Sequence, residues 1–212
     1  MDYNQLKVEI KELLDKYPFC ECFSIGQSWE GRELYGIRIG KGHRNCLYVG
    51  AHHALEYCTT DILLKFAFEF CKSIENKTKL KGYNSKLIYE KVSLYIIPML
   101  NPDGVELVLN GISKAHPLYE RVTKMNNGSD NFSSWQSNIR GVDLNHNYNA
   151  GWLEGKMGER QLNIFFAGNT RYGGEYPESE KETAALCSFV KSVLPKMVVA
   201  FHAQGRLSLI HI

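Results

Sequence analysis

Hydrophobic positions recur with two different periods along the chain, and each period predicts one kind of element. Apolar residues three or four positions apart predict an amphipathic helix over residues 4–16, and Pro18 ends it. Residues 23–29 and 34–39 alternate instead between apolar and polar side chains, with a turn sequence at residues 30–32 between them. This alternation predicts a β-hairpin after the helix.

Strands and helices are then predicted to follow one another. Residues 46–49 form a short apolar run typical of a buried strand, and residues 62–71 form a longer apolar segment that predicts a buried helix. Thr59 or Thr60 is expected to cap this helix, and residues 91–97 are predicted to form the next strand. The order favours an α/β fold with a mixed, mostly parallel sheet flanked by helices.

The periodicity weakens after this strand. Residues 101–104, Asn-Pro-Asp-Gly, have the composition of a tight turn. Residues 110–175 are irregular and rich in Asn, Gly and Ser, with one short helix predicted at 117–125, and a span of this kind is usually functional. A capping box at residues 179–182 predicts the start of the last helix, and residues 197–202 are predicted to be a buried strand.

Composition and charge exclude several classes of protein. The 212 residues are 44% hydrophobic and 23% charged, which is enough for one folded domain with a core. The net charge of +2, without blocks of like charge, gives no indication of a nucleic-acid or membrane partner, and no segment has transmembrane length. The six cysteines form no Cys-x-x-Cys pair, and the chain begins without a signal peptide, so we expect reduced thiols and a cytoplasmic location.

Candidate metal chemistry begins at His53 and Glu56, which lie three residues apart where a predicted strand opens into a helix. An imidazole and a carboxylate on one face of a helical turn can bind one divalent ion, although a solvated turn is the alternative interpretation. His52 lacks this spacing and is interpreted as structural. His202 ends another predicted strand, where ligand sites of α/β sheets lie, but a core histidine would have the same position.

Six short motifs, in this order, resemble those of the zinc carboxypeptidase (carboxypeptidase A-like) family, from about residue 24 to residue 205. They lie at residues 28–35, 50–56, 101–104, 141–147, 172–180 and 201–204. The run at residues 138–145 and the sequence His-Ala-Gln-Gly after Phe201 resemble most the bacterial γ-D-glutamyl-L-diamino acid endopeptidases, which cut peptidoglycan stem peptides. The resemblance implies a peptide substrate, and it leaves the oligomeric state open.

The resemblance also implies a role for particular residues. His53, Glu56 and His202 would bind one zinc ion, with water in the open position for peptide hydrolysis. Arg140 would stabilise the oxyanion, since a fixed positive charge favours a developing negative charge. The family also places this arginine directly after a tryptophan, and that position holds Gln136 here.

Asn145 and His146 occupy the position at which the family binds the substrate carboxylate with Asn-Arg. A neutral imidazole does not replace a bidentate guanidinium, so the resemblance favours an endopeptidase over an enzyme that recognises a free C-terminus. A true metallocarboxypeptidase, or an amidase of small acylated amino acids, is the alternative with the same fold.

The end of the chain departs from the family pattern. The family's general-base glutamate follows the second histidine at some distance, and this chain stops soon after His202. We therefore expect residues 1–212 to be a single, incomplete catalytic domain that lacks the last strands and helix and is itself inactive. Residues 1–20 would be its N-terminal helical segment and residues 206–212 a non-native tail. A non-catalytic zinc- or peptide-binding relative is the alternative.

Overall fold

The strands of the protein are distributed along its whole sequence, with helices between them. A computed structural model describes residues 1–203 and the backbone of residues 208–211. The helices in these residues are α1 (Tyr3–Lys16), α2 (Cys58–Glu75), α3 (Ser85–Lys91), α4 (Pro102–Asn110), α5 (Tyr119–Met125), α6 (Trp152–Gln161) and α7 (Lys181–Val193). The strands are β1 (Cys20–Gln27), β2 (Glu33–Ile39), β3 (Arg44–Val49), β4 (Lys79–Leu80), β5 (Tyr83–Asn84), β6 (Val92–Ile97), β7 (Met197–Phe201) and β8 (Ser208–His211). Single 3₁₀ turns span Ala54–Glu56 and Leu144–His146.

Six strands form the main sheet in the order β1, β2, β6, β3, β7, β8. The central strand β3 pairs in parallel with β6 and β7, whereas the outer pairs are antiparallel. The predicted mixed sheet flanked by helices is confirmed, and its parallel pairing is confined to these three central strands. Val49 lies opposite both Ile97 and Ala200. The segments that leave the three parallel strands therefore emerge together at one edge of the sheet, where ligand sites of such sheets lie.

The core lies on both faces of the sheet. Consecutive residues of a strand point to opposite faces, and Ile96 and Ile97 of β6 illustrate this. Ile96 packs in the cluster that includes Leu13 of α1 and Leu64 of α2, whereas Ile97 packs in the cluster that includes Leu186 of α7. The helical faces predicted from apolar spacing are thus the faces that cover the sheet.

The predictions made from strong periodicity are confirmed. The helix predicted over residues 4–16 is α1, and the predicted hairpin is formed by β1 and β2. The strands predicted at residues 46–49, 91–97 and 197–202 are β3, β6 and β7. Because β7 ends at Phe201, the histidine that follows lies just beyond the strand.

The tight turn predicted at residues 101–104 is wrong. Asn101 is instead the N-cap of helix α4, and its side-chain oxygen accepts a hydrogen bond from the backbone N–H of Gly104 at 3.0 Å. Pro102 is the first helical residue, where its missing N–H costs nothing. The residues that favour a turn also start a helix well, and only the sequence that follows distinguishes the two.

Both predicted helix caps are also wrong. Helix α2 already begins at Cys58, and the hydroxyl of Thr59 instead accepts from the N–H of Ala51 and donates to the carbonyl of Glu56. Helix α7 begins at Lys181 with Glu180 as its N-cap, and it has no side-chain cap hydrogen bond. These side chains are used for contacts between elements rather than for capping.

The span from residue 110 to residue 175 contains more structure than predicted. The short helix expected at residues 117–125 is α5, but α6 was not predicted. Helix α6 contains two glycines, and its apolar side chains Leu153 and Met157 are 70% and 63% exposed. A helix without a buried apolar stripe leaves little periodic signal in the sequence.

The tail predicted at residues 206–212 lies in part outside the described residues, namely at positions 206, 207 and 212. The backbone of Ser208–His211 forms β8 and pairs antiparallel with β7. Among the residues that the structure describes, no helix has both the length and the apolar character needed to cross a membrane.

The N-terminus of α1 provides a test of local stability. Asp2 and Gln5 form a capping box, in which the Asp2 carboxylate accepts from the Gln5 N–H at 2.8 Å and the Gln5 side chain accepts from the Asp2 N–H at 3.1 Å. We expect Asp2→Ala to lower the free energy of unfolding by about 1 kcal/mol in urea denaturation. Glu12→Ala removes the same charge from the exposed middle of α1 and should change it by less than about 0.5 kcal/mol. Equal losses in the two variants would show that the cap contributes nothing.

Candidate metal centre

His53, Glu56 and His202 are brought together by the ends of two neighbouring parallel strands. The chain leaves β3 and forms the 3₁₀ turn Ala54–Glu56, with His53 in extended conformation at its N-cap, and His202 directly follows β7. The turn is held by a separate loop, because the N–H of Ala54 donates to the carbonyl of Gln136 at 2.9 Å. The helical face predicted for His53 and Glu56 is therefore one turn of 3₁₀ helix.

The ligand atoms of these three residues converge on one point. One Glu56 oxygen, Oε2, lies 2.8 Å from Nδ1 of His202 and 3.3 Å from Nδ1 of His53. One ligand atom from each residue lies within 4.8 Å of the others, and the two imidazole rings are 4.9 Å apart between centroids. Glu56 is only 1% exposed, so the carboxylate of this group is buried inside the protein.

Asp143 contacts the second ring nitrogen of His53, Nε2, and so fixes the orientation of the ring. Its Oδ1 lies 3.2 Å from Nε2 of His53, and its carboxylate also accepts from the N–H groups of Asn145 at 3.1 Å and Arg171 at 3.0 Å. Burial lowers the pKa of His53, but the two neighbouring carboxylates raise it to about 9. Burial raises the pKa of Asp143, yet the hydrogen bond from His53 leaves it below its usual value. The Nε2 atom of His53 is thus used by Asp143, and Nδ1 faces the cluster.

His52 is adjacent in sequence but has a different environment. Its Nε2 atom lies 2.9 Å from the hydroxyl of Tyr148, and its side chain is 3% exposed. Burial, together with the neighbouring His202 and His53, lowers the pKa of His52 to about 3. It is therefore a neutral imidazole, and its position agrees with the structural interpretation made from spacing.

The structure does not bring Arg140 to this cluster. The guanidinium of Arg140 lies 4.2 Å from the centroid of the Trp29 ring, and its NH1 atom is 3.9 Å from Oε1 of Glu180. Gln136, the alternative position for the oxyanion residue, holds the 3₁₀ turn through its backbone, and its side-chain oxygen accepts from the Thr170 hydroxyl.

Asn145 and His146 lie at the edge of the cluster. Both side chains are exposed on the 3₁₀ turn Leu144–His146, which directly follows Asp143. The Nε2 atom of His146 is 4.0 Å from Oδ2 of Asp143. The two predicted substrate residues and the carboxylate that orients His53 are consequently parts of one turn.

Sequence reasoning assigned no role to Asp143. The residue stands in one of the family motifs, two positions before Asn145, but its partner His53 is ninety positions away. Nothing in the local pattern indicates that contact. One general rule could have identified Asp143. A histidine that binds a metal usually donates from its second ring nitrogen to a carboxylate, so an aspartate in a motif beside other site residues is a candidate for that partner.

A zinc ion fits the residues of the cluster. Two imidazole nitrogens and one carboxylate oxygen are the donor set of catalytic zinc sites that keep an open position. The Nδ1 atom of His53 is buried and makes no hydrogen bond of acceptable geometry within the described residues. A buried nitrogen in this state, beside a carboxylate and a second imidazole, is a suitable ligand for a cation.

A mixed α/β fold with such a cluster at its strand ends is typical of a zinc-dependent hydrolase. The chain belongs to the zinc carboxypeptidase family, whose model matches residues 6–211. The resemblance found in the sequence motifs is thereby confirmed. Membership in this family places the chain among zinc metallopeptidases and supports zinc as the metal.

The similarity extends to individual proteins. The chain is 35% identical over 206 residues to γ-D-glutamyl-L-diamino acid endopeptidase 1 of Lysinibacillus sphaericus, covering 97% of the chain and 51% of the relative. It is 26% identical over 217 residues to mast cell carboxypeptidase A of Mus musculus, covering 99% of the chain and 46% of the relative. The chain therefore spans about half the length of these relatives.

A solved structure shows the same fold. The chain superposes on bovine thrombin-activatable fibrinolysis inhibitor, solved in complex with tick carboxypeptidase inhibitor, with a TM-score of 0.69. The two are 22% identical, and the match covers 96% of this chain and 60% of the other. At this level of identity the match establishes the fold.

Proposed function

We propose that the chain carries the zinc site of a peptidase that cleaves γ-D-glutamyl–diaminopimelate bonds in peptidoglycan stem peptides. The observation that carries the proposal is the convergence of Nδ1 of His53, Oε2 of Glu56 and Nδ1 of His202. The choice of bond is supported by the 35% identity to an endopeptidase named for γ-D-glutamyl-L-diamino acid bonds.

The residues of the cluster would hold zinc through these three atoms. Zinc, when bound, supplies a Lewis acid that polarises a carbonyl and lowers the pKa of water. Asp143 holds the proton on Nε2 of His53, so that Nδ1 remains available as a ligand. Glu56 contributes a negative charge from a buried position, which favours a cation over a neutral occupant.

The turn that follows Asp143 would position the peptide. Asn145 and His146 are exposed beside the cluster and can contact a substrate with an amide and an imidazole. Because His146 offers no bidentate cation, we propose that a free C-terminal carboxylate is not required. Arg140 is proposed to stabilise the oxyanion, and this role requires its guanidinium to move from Trp29 towards the cluster.

A second candidate function is the binding of zinc and peptide without hydrolysis. Among the described residues, the carboxylates that contact His53 and His202 are those of Glu56 and Asp143. Glu56 is a proposed ligand and Asp143 orients His53, so neither is left to act as a separate general base. This observation favours binding of zinc and peptide over peptide hydrolysis for the described residues taken by themselves.

One experiment separates the candidates. The zinc-loaded chain is incubated with the tripeptide L-Ala-γ-D-Glu-meso-diaminopimelate, with a free or amidated C-terminus, and products are followed by mass spectrometry. The peptidase proposal predicts cleavage of both forms that is lost in Glu56→Gln. Peptide binding without cleavage would support the second candidate, and cleavage of the free form only would support a carboxypeptidase. A folded chain without bound zinc would contradict both proposals.

The contact between Asp143 and His53 makes a further prediction. We expect Asp143→Ala to weaken zinc affinity by about 10–100-fold, because His53 loses the partner that fixes its tautomer and ring orientation. Competition with a chromogenic chelator measures the affinity. Asp130→Ala, which removes an exposed carboxylate, serves as the control and should leave it unchanged. Equal affinities for Asp143→Ala and the parent chain would contradict the orienting role.

A further inference from the structure

Two cysteines that are distant in sequence meet inside the core. The Sγ atoms of Cys20 and Cys71 are 3.2 Å apart, although the residues are separated by 51 positions. The side chains are 6% and 0% exposed. Cys20 is the first residue of β1 and Cys71 lies in the last turns of α2, so the contact joins the beginning of the sheet to the helix that follows the metal cluster.

The surroundings of this pair do not suit a catalytic nucleophile or a metal ligand. A nucleophilic or metal-binding thiol is partly exposed and lies near positive charge, whereas both cysteines belong to the hydrophobic cluster that joins α1, α2 and the sheet. The hydrogen bond with Cys20, together with burial, raises the pKa of Cys71 well above its usual value. Two buried thiols in direct contact are positioned for oxidation to a disulfide bond with each other.

We propose that Cys20 and Cys71 form a dithiol site that is oxidised to an intramolecular disulfide by small disulfides of the glutathione type. The sulfur atoms need to approach each other by about 1 Å to reach the length of an S–S bond. This proposal replaces the expectation of reduced thiols for this pair, and it does not depend on the proposed zinc site.

The reaction proceeds by two exchanges. Cys20, the less buried thiol, loses its proton and attacks one sulfur of the small disulfide, which forms a mixed disulfide and releases one small thiol. Cys71 then loses its proton and attacks Sγ of Cys20, which releases the second small thiol. The two protein thiols are oxidised by two electrons, and the small disulfide is reduced to two thiols. Because both thiols are buried and only a thiolate attacks a disulfide, we expect the reaction to be slow and to accelerate with rising pH.

The disulfide would close the loop from residue 20 to residue 71. This loop contains β1, β2, β3 and two of the three cluster residues, His53 and Glu56. A bond between residues that already touch changes the folded structure little, but it restricts the unfolded chain strongly. We expect the oxidised chain to melt roughly 5–10 °C above the reduced chain.

The test uses the folded chain and a variant that keeps the buried pair. Cys22→Ser/Cys58→Ser removes the two exposed thiols that would otherwise react with glutathione. Parent and variant are incubated with oxidised glutathione at pH 8, alkylated in denaturant and mapped by mass spectrometry. We expect a cross-linked peptide pair containing Cys20 and Cys71, a mass lower by two hydrogen atoms, and reversal by dithiothreitol.

The melting temperature supplies the matched comparison. The difference between oxidised and reduced protein should persist in Cys22→Ser/Cys58→Ser and disappear in Cys20→Ser. Should Cys20→Ser fail to fold, the peptide map of the parent chain decides by itself. Alkylation of both Cys20 and Cys71 after prolonged oxidation, or pairing of Cys20 with any other cysteine, would overturn the proposal.

Discussion

Removal of zinc is expected to lower the melting temperature of the chain by roughly 5–15 °C. An ion that binds only the folded state stabilises it by about 3–4 kcal/mol at concentrations 100- to 1,000-fold above its dissociation constant. For a chain of this size each kcal/mol corresponds to about 2–4 °C. The proposed ligands leave the ends of β3 and β7, so the ion would cross-link two neighbouring strands at their open edge.

The measurement compares the zinc-loaded chain with the chain after dialysis against a chelator, by calorimetry and elemental analysis. His202→Ala should bind less than one zinc per chain at equimolar metal and should melt at the same temperature with and without the chelator. His43→Ala removes an exposed histidine and should keep the full response of the parent chain. A zinc-dependent shift that survives in His202→Ala would place the metal elsewhere.

The parts of this centre that were predicted from sequence depend on local geometry. The three-residue spacing of His53 and Glu56 is compatible with one helical turn of either kind, so the two side chains meet although the turn is 3₁₀. His202 was predictable because strand β7 is an uninterrupted apolar run, and its end marks the edge of the sheet. Parallel pairing then brings the two segments together, which is a consequence of the fold class.

The parts that were not predicted depend on contacts between distant loops. Asp143 reaches His53 because the backbone of residues 171 and 172 holds its loop in place. Arg140 was expected near the oxyanion, but Trp29 and Glu180 engage its guanidinium in the structure. The Trp29 ring and the buried Glu180 carboxylate hold the guanidinium of Arg140 in competition with any role of that guanidinium at the cluster. The spacing of residues along the sequence does not reveal this competition.

The loop that carries Arg140 and Asp143 contacts the buried side chain of Glu182 through Asn138. Glu182 is fully buried, its Oε1 has no hydrogen-bond partner in the described residues, and its Oε2 accepts a long hydrogen bond, 3.4 Å, from Asn138. Burial, with a smaller contribution from Asp103 and Glu180, raises the pKa of Glu182 to about 8. The side chain is therefore protonated in the folded protein at neutral pH.

This raised pKa predicts that the protein loses stability as the pH rises from about 4.5 to about 8. Since the folded state holds the proton of Glu182 up to about pH 8, whereas an unfolded glutamate releases it near 4.5, the folded state binds more protons between these values. The contribution to stability is complete below pH 4.5 and is lost as the pH rises through 8. A difference of this size corresponds to roughly 3–5 kcal/mol. Glu182→Gln stays neutral, so its unfolding free energy relative to the parent should rise by this amount between pH 4.5 and 9.

Urea denaturation across this pH range, with parent and variant side by side, measures the effect. Glu12→Gln removes an exposed carboxylate on α1, and its unfolding free energy should follow that of the parent chain at every pH. A Glu182→Gln variant whose pH profile runs parallel to that of the parent would show that Glu182 is ionised in the folded state. If the unfolding free energies of the two proteins diverge with pH as expected, Glu182 is protonated in the folded state. Asn138, which accepts from the N–H groups of Arg140 and Val142, then contacts a neutral carboxylic acid. Ionisation of that acid would then loosen the loop that orients His53.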